Sequence, residues 1–220
     1  MALTKYNYNS FDVTPVASKA LAFNSGANGL TTAAEGSMVL IKEVTASSDS
    51  TISFVDGTSD VVLDSTYPIY LFKFINIHGA TDDTDFQFNM SIDSGSNYNV
   101  TKTSSYFYAQ HEEGDSNTTL GYSGGSDLAQ GTGFQDICNN AGADADQSAN
   151  GSMFLYNPSS TTFVKNFMTD INFNEYSNYS VRDFCAGYGN TTSAVDAIQF
   201  KFESGNIDSG TFKLYGIKDS

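Results

Sequence analysis

The chain has no tryptophan, 3 prolines, 2 cysteines and 2 histidines, and its 10 basic residues are outnumbered by 25 acidic ones. Each shortage excludes something. A disulfide-stapled secreted scaffold would hold more cysteine, so Cys138 and Cys185 read as free thiols of a reducing compartment. The histidines are too few for common metal or acid–base motifs. His111-Glu112-Glu113 has no second histidine at the spacing of a helical zinc site. No Gly-x-Ser-x-Gly nucleophile elbow occurs. A net charge of −15 opposes nucleic acid, where counterion release rewards basic surfaces, and it opposes anionic membrane. No apolar run approaches the ~18 residues of a membrane helix, and Met1 to Lys5 lack the apolar core of a signal peptide. The expectation is a non-catalytic chain without cofactor, nucleic-acid partner or membrane insertion.

What the chain does have is 17 phenylalanines, 13 tyrosines and 19 glycines, material for pleated half-buried surfaces and for many turns. No stretch keeps a 3.6-residue apolar period. Period-two alternation recurs instead. Thr51 to Val55 and Asp85 to Ile92 alternate. Ser105 to Ala109, Ser152 to Tyr156, Thr162 to Met168, Asp170 to Tyr176 and Val181 to Tyr188 read as further strands. Tyr67 to His78 is apolar on both faces, with Ile69, Leu71, Ile75 and Ile77 on one and Tyr70, Phe72 and Phe74 on the other. That predicts a central strand between two covering layers. At the end, Ile198, Phe200 and Phe202 share a face, as do Phe212, Leu214 and Gly216, and a Gly/Asn/Ser/Asp turn joins the runs. This pattern predicts a closing β-hairpin with Phe200, Phe202, Phe212 and Leu214 in the core. The fold class expected is all-β: an antiparallel β-sandwich, jelly-roll-like.

Two regions break the rhythm. Residues 1–32 are polar and poorly periodic, which suits either an attachment arm or an irregular lead-in. Residues 33–220 form the expected β domain. Within it, residues 112–150 are rich in Gly, Asn, Asp and Ser, and they predict a long irregular surface loop.

The closing segment, Asp196 to Phe202 and Gly205 to Ile217, resembles a family of structural proteins of marine tailed bacteriophages, the cyanophage-like virion proteins. Leu40 to Phe54, Ser65 to Phe74, the Asp82-Asp83 turn before Phe86-Gln87-Phe88, Asp93 to Ser96 and Phe154 to Thr162 carry the same resemblance, which spans most of residues 20–218. It implies a virion component, a tail-fibre or appendage subunit or a capsid decoration, assembled in the host cytoplasm. It implies a homo-oligomer, a trimer being one symmetric form, packed against other virion proteins and in reach of host-surface glycan. It brings no catalytic motif. The rival is a carbohydrate-binding module or a glycan depolymerase.

Candidate sites follow from residue type. Asp82, Asp83 and Asp85, and separately Asp144 and Asp146, crowd carboxylates into single loops as calcium sites do, though without EF-hand spacing. The competing reading is a solvated acidic turn. Tyr106, Tyr108 and Tyr122 are candidates for stacking on a sugar. Tyr106 and Tyr108 share a face, with Gln110 beyond them, and core packing is their competing role. The Gly-rich stretches Gly121 to Gly125 and Gly131 to Gly133 lack the Lys-Ser/Thr of a phosphate loop and read as flexible connections.

Overall fold

The computed structural model describes residues 21–23, 26, 30–32 and 36–218, and these contain no helix. The chain divides into two compact units, Met1–Met38 and Val39–Ser220. In the first, β1 (Leu21–Phe23) and β2 (Leu30–Thr32) pair antiparallel. The rest of the arm or lead-in expected over 1–32 lies outside the described residues.

From Met38 onward thirteen strands join one antiparallel sheet that nearly closes as a barrel. They are β3 (Met38–Asp49), β4 (Ile52–Val55), β5 (Ile69–Gly79), β6 (Thr84–Ser91), β7 (Lys102–Glu112), β8 (Thr118–Tyr122) and β9 (Ala129–Gly131). Then come β10 (Gln135–Ala141), β11 (Ala149–Tyr156), β12 (Lys165–Glu175), β13 (Tyr179–Gly189), β14 (Ala197–Phe202) and β15 (Ile207–Ile217). The sheet has two arms. One runs β3-β15-β5-β11-β12-β13-β7, with β8 and β9 on the far edge of β7. The other runs β10-β6-β14-β4. A single pairing, Ala141 with Glu175, ties β10 to β12.

The arms enclose an aromatic core. The Phe200 ring of β14 lies 5.1 Å from Phe74, 5.4 Å from Phe72 and 5.7 Å from Phe212, all of the opposite arm. Phe88 meets Phe167 edge-on at 4.9 Å. These rings leave water almost completely. Each such burial is worth roughly 1.5–3 kcal/mol, and edge-to-face pairs add to it. Gly216 is required by packing: a Cβ there would run into the Tyr67 ring.

Three expectations are corrected. The closing hairpin does not form. Phe200, Phe202, Phe212 and Leu214 are buried as expected, but β14 pairs with β4 and β6 while β15 pairs with β5. The turn at Ser204–Asn206 carries the chain from one arm to the other. It is pinned there by Glu203 N–H donating to Asp85 O at 2.8 Å and Ala80 N–H donating to Asn206 O at 2.9 Å. Alternation identifies strands but not their partners.

Residues 112–150 are also not a long irregular loop. They hold β8, β9 and β10 and the start of β11. β10 was hidden because its pairing with β6 slips twice, between Asp136 and Cys138 and between Cys138 and Ala141, so no single period runs through it. It is also polar inside. Buried Gln135 accepts from Ser104 Oγ at 2.6 Å and donates to Ser126 O at 2.7 Å.

The third correction is β5, which is central in pairing but not covered on both faces. Lys73 and Ile75 are exposed. Asn76 takes a φ of 52°, a bulge that swings Ile77 inward beside Phe74 rather than outward with Ile75.

Candidate functional site

The β7–β13 end of the first arm holds the unusual chemistry, on both of its faces. β13 pairs with β7 over its whole length, Tyr179 opposite Glu112 through Gly189 opposite Lys102. Tyr106, Asp183, Cys185 and Lys102 therefore point inward, and Phe107, Phe184 and Arg182 point outward.

On the inward side, Asp183 is 1 % exposed. Its Oδ2 accepts from the Tyr106 hydroxyl and from the Asn139 N–H, the latter at 2.9 Å. Its Oδ1 is buried and has no hydrogen-bond partner. Burial pushes the carboxyl up to about 7, against the pull of the Tyr106 and Asn139 hydrogen bonds. Asp183 is part of the wall of a recess of about 240 Å³ with Tyr108 and Gln110 of β7, Asn139 and Asn140 of β10, Val181, Ser123 and Glu175. The recess lies near the Ala141–Glu175 pairing, where β10 parts from β12. Among the described residues, no lysine, arginine or histidine lines it. Glu175 already accepts from the Ser177 N–H at 2.7 Å, and Asn140 donates to Asp83 Oδ1 at 2.7 Å. The chemistry available is that of hydrogen-bond acceptors and carboxamides beside one phenol ring.

Two lysines are fully buried at the other end of β13. Lys102 and Lys165 both pair with Gly189, one on each side, and neither meets a carboxylate. Lys102 Nζ donates to Asn89 Oδ1 at 2.5 Å and to Val100 O at 2.8 Å. Lys165 Nζ donates to Phe163 O at 2.8 Å and Thr191 O at 3.2 Å. Burial pulls Lys102 down to about 7 and lowers Lys165. Asp136 is pushed up to about 7 by burial, partly offset by its bond from Gln87. Both cysteines are free and buried, and burial raises both thiols.

On the outward side one row of cross-strand neighbours crosses the sheet: Tyr122, Phe107, Phe184, Asp170, Ser152, Lys73 and Lys213. Phe107 and Phe184 stack at 4.8 Å, and the Arg182 guanidinium sits 4.7 Å over Phe184. Arg182 also binds Asp170 through two contacts, at 2.9 and 2.7 Å. That pairing holds the Asp170 carboxyl below its usual range and raises Arg182. Leu120, 78 % exposed, and Met168, 52 % exposed, flank the row.

The tyrosines singled out in the sequence separate. Tyr106 is wholly buried with its hydroxyl committed to Asp183, so it cannot touch a glycan. Tyr108 lines the recess. Tyr122 is 59 % exposed on the other face, its hydroxyl donating to Asp127. The acidic turns are engaged in structure. Asp82 accepts from the Ala143 N–H at 2.9 Å, and Asp83 and Asp85 each accept from Asn140. Burial, more than its neighbours Glu203 and Asp83, raises Asp85. Asp146 lines an open recess with His78, and the Asp144 carbonyl lies 3.2 Å from His78 Nε2. Among the described residues no three acidic, histidine or cysteine side chains gather as a metal would need. Asp183, Lys102 and Lys165 went unmarked in the sequence, yet each falls in the inward phase of its strand, beside Val181 and Cys185, Tyr106, and Phe167 and Ile171 respectively. A charge in that phase is the signal that would have found them.

No family model, curated protein or solved structure matches this chain.

Proposed function

We propose that the chain is a non-catalytic virion structural protein of a tailed phage, built into a tail fibre, appendage or capsid surface, where it packs against copies of itself and other virion proteins. The observation that carries this reading is the outward row of β8, β7, β13 and β12. Phe107, Phe184, Tyr122, Leu120 and Met168 stand side by side on one sheet face of a chain carrying −15 net charge. A grouped apolar surface on so acidic a chain marks a place where a neighbour excludes water. Closed symmetry makes a homo-oligomer, a trimer among the candidates, the natural assembly. The finer fold reading belongs here too. Consecutive strands pass between the arms at β3–β4, β4–β5, β5–β6, β6–β7, β9–β10, β10–β11, β13–β14 and β14–β15, which supports a sandwich with jelly-roll-like connections. Immunogold labelling of purified phage particles with an antibody to the chain tests the assignment. Regular labelling of tail or capsid is expected, and label found only in unassembled lysate would sink it.

A second reading, saccharide binding at the host surface, is favoured by one observation: the recess beside Tyr108 is walled by carboxamides and carboxylates and no cation.

A further inference from the structure

We propose that the recess around Asp183 is a binding site for one neutral sugar ring, with Asp183 Oδ1 as the acceptor for its hydroxyls. The inference deepens the saccharide reading and rests on it, while virion placement stands apart from it.

The starting point is an atom out of balance. A buried carboxylate oxygen without a donor is costly, and native proteins rarely leave one without a reason. Asp183 spends Oδ2 twice, on Tyr106 and Asn139, and Oδ1 not at all. The same residue, 1 % exposed, forms part of the wall of the recess. Tyr106 and Asn139 fix the carboxyl from two strands, so its free oxygen is held in place before any ligand arrives. Such preorganisation lowers the entropy lost on binding.

The wall decides the class of ligand. Two carboxyl groups and no basic side chain exclude phosphate, sulfate or an acidic sugar. A bare calcium ion needs six to eight converging oxygens. Only Asp183 and Glu175 supply carboxylates here, and Glu175 is held by Ser177 N–H and Oγ. Neutral hydroxyl donors remain. The volume of about 240 Å³ lies just below the roughly 300 Å³ at which small-ligand pockets begin, the scale of one sugar ring rather than a chain of them. Sugar hydroxyls can supply the hydrogen that Oδ1 lacks, and the carboxamides of Gln110, Asn139 and Asn140 can serve as either donor or acceptor. Tyr108 adds an aromatic wall for the C–H face of the ring. Its hydroxyl end packs over Gly121, where a Cβ would come within 2.9 Å of it, so the ring is backed by β8.

Saturation-transfer NMR on the 220-residue chain at about pH 9, where Asp183 is ionised and its free oxygen accepts, with glucose, galactose, mannose and N-acetylglucosamine as separate probes, tests the site. At least one should show transfer. Asp183→Asn keeps an oxygen for Tyr106 and Asn139 but turns the free acceptor into a donor, and it should raise that sugar's Kd about tenfold or more. Gln110→Ala should raise it less, and it decides the matter if the Asp183 variant fails to melt cooperatively. Absence of transfer from all four sugars, or an Asp183→Asn chain that binds as well as the parent, overturns the recess. Binding lost in Tyr122→Ala and kept in Asp183→Asn also overturns it, but moves the contact to the outer face and leaves the saccharide reading standing. Failure of intact host polysaccharide to bind as well would remove that reading too.

Discussion

The two halves of the sheet use polarity in opposite ways. Around β5, β15, β14 and β6 the phenylalanines face inward and Lys73, Lys213, Gln199 and Lys201 face out. Around β7 and β13 the inward positions hold Lys102, Asp183, Tyr106 and Cys185, and the outward positions hold Phe107, Phe184 and, on β8, Leu120 and Tyr122. The first half is what an isolated domain needs. The second is partly inverted, with its ionisable groups in the interior and its aromatics in water. Inversion of that kind lowers stability locally, so it persists where the exposed face meets a partner and the interior meets a ligand or a proton.

The strongest way to sharpen the contrast is to empty the ordinary core. Phe200 touches rings from both arms and is fully buried. Phe200→Ala should destabilise the fold by about 3–5 kcal/mol, because the cavity spans the join between arms that share only one backbone pairing. Urea unfolding followed by tyrosine fluorescence measures it. A loss below about 1 kcal/mol would mean that the aromatic cluster does not hold the arms together.

The ionisable groups buried on β7, β13 and β10 should reveal themselves next, through pH. Asp183 and Asp136 are raised from 3.8 to about 7, so between those values the folded chain holds protons that the unfolded chain has released. Their contribution is fully present at acid pH and is lost as pH rises through about 7. Lys102 is lowered from 10.5 to about 7, so above 7 the unfolded chain holds a proton that the folded chain has given up. Its contribution is fully present above 10.5 and is lost as pH falls towards 7. Together these groups give a stability curve with a minimum near neutrality, a few kcal/mol below its shoulders. Denaturant midpoints at about pH 5, 7 and 9 should trace the dip. Asp183→Asn should make its acid side shallower, and Lys102→Met its alkaline side. A curve that peaks near pH 7 would contradict the placement of these groups.

The sequence made the first half legible and hid most of the second. In β14 Ile198, Phe200 and Phe202, and in β15 Phe212 and Leu214, recur at every second position, so their burial follows directly from the alternation of the strand. Partner choice did not follow, because the turn at Gly205 joins two arms instead of two neighbours, and nothing local to the turn distinguishes the cases. β5 misled at one residue, where the Asn76 bulge shifts the phase of everything after it. β10 was missed because Gln135, Asp136, Asn139 and Asn140 look like loop material, although they form a strand whose polar groups are satisfied across strands. The recess joins residues of β7, β10, β12 and β13, separated by up to 75 positions between Tyr108 and Asp183 (183 − 108). Tyr108 and Gln110 were visible as a tyrosine face; Asp183 becomes a site residue only when tertiary packing leaves one of its oxygens without a donor.

The smallest effect on folding should come from the outer face, and there a small number is informative. Phe107 is 44 % exposed and packs on Phe184, over which the Arg182 guanidinium also sits. Phe107→Ser removes one exposed ring of a stacked pair and should change stability by about 1 kcal/mol or less. Its consequence for assembly should be far larger, because an aromatic near the centre of a covered face carries a disproportionate share of binding energy. Sedimentation over a concentration series should show the half-assembly point rising about tenfold or more, with the monomer unchanged in melting behaviour. Lys73→Ser, exposed on the outward face of the ordinary half, should leave both quantities where they were. If Phe107→Ser assembles like the parent, the exposed rings are not an interface between copies, and the inverted polarity of β7 and β13 answers to the recess on the inward side alone.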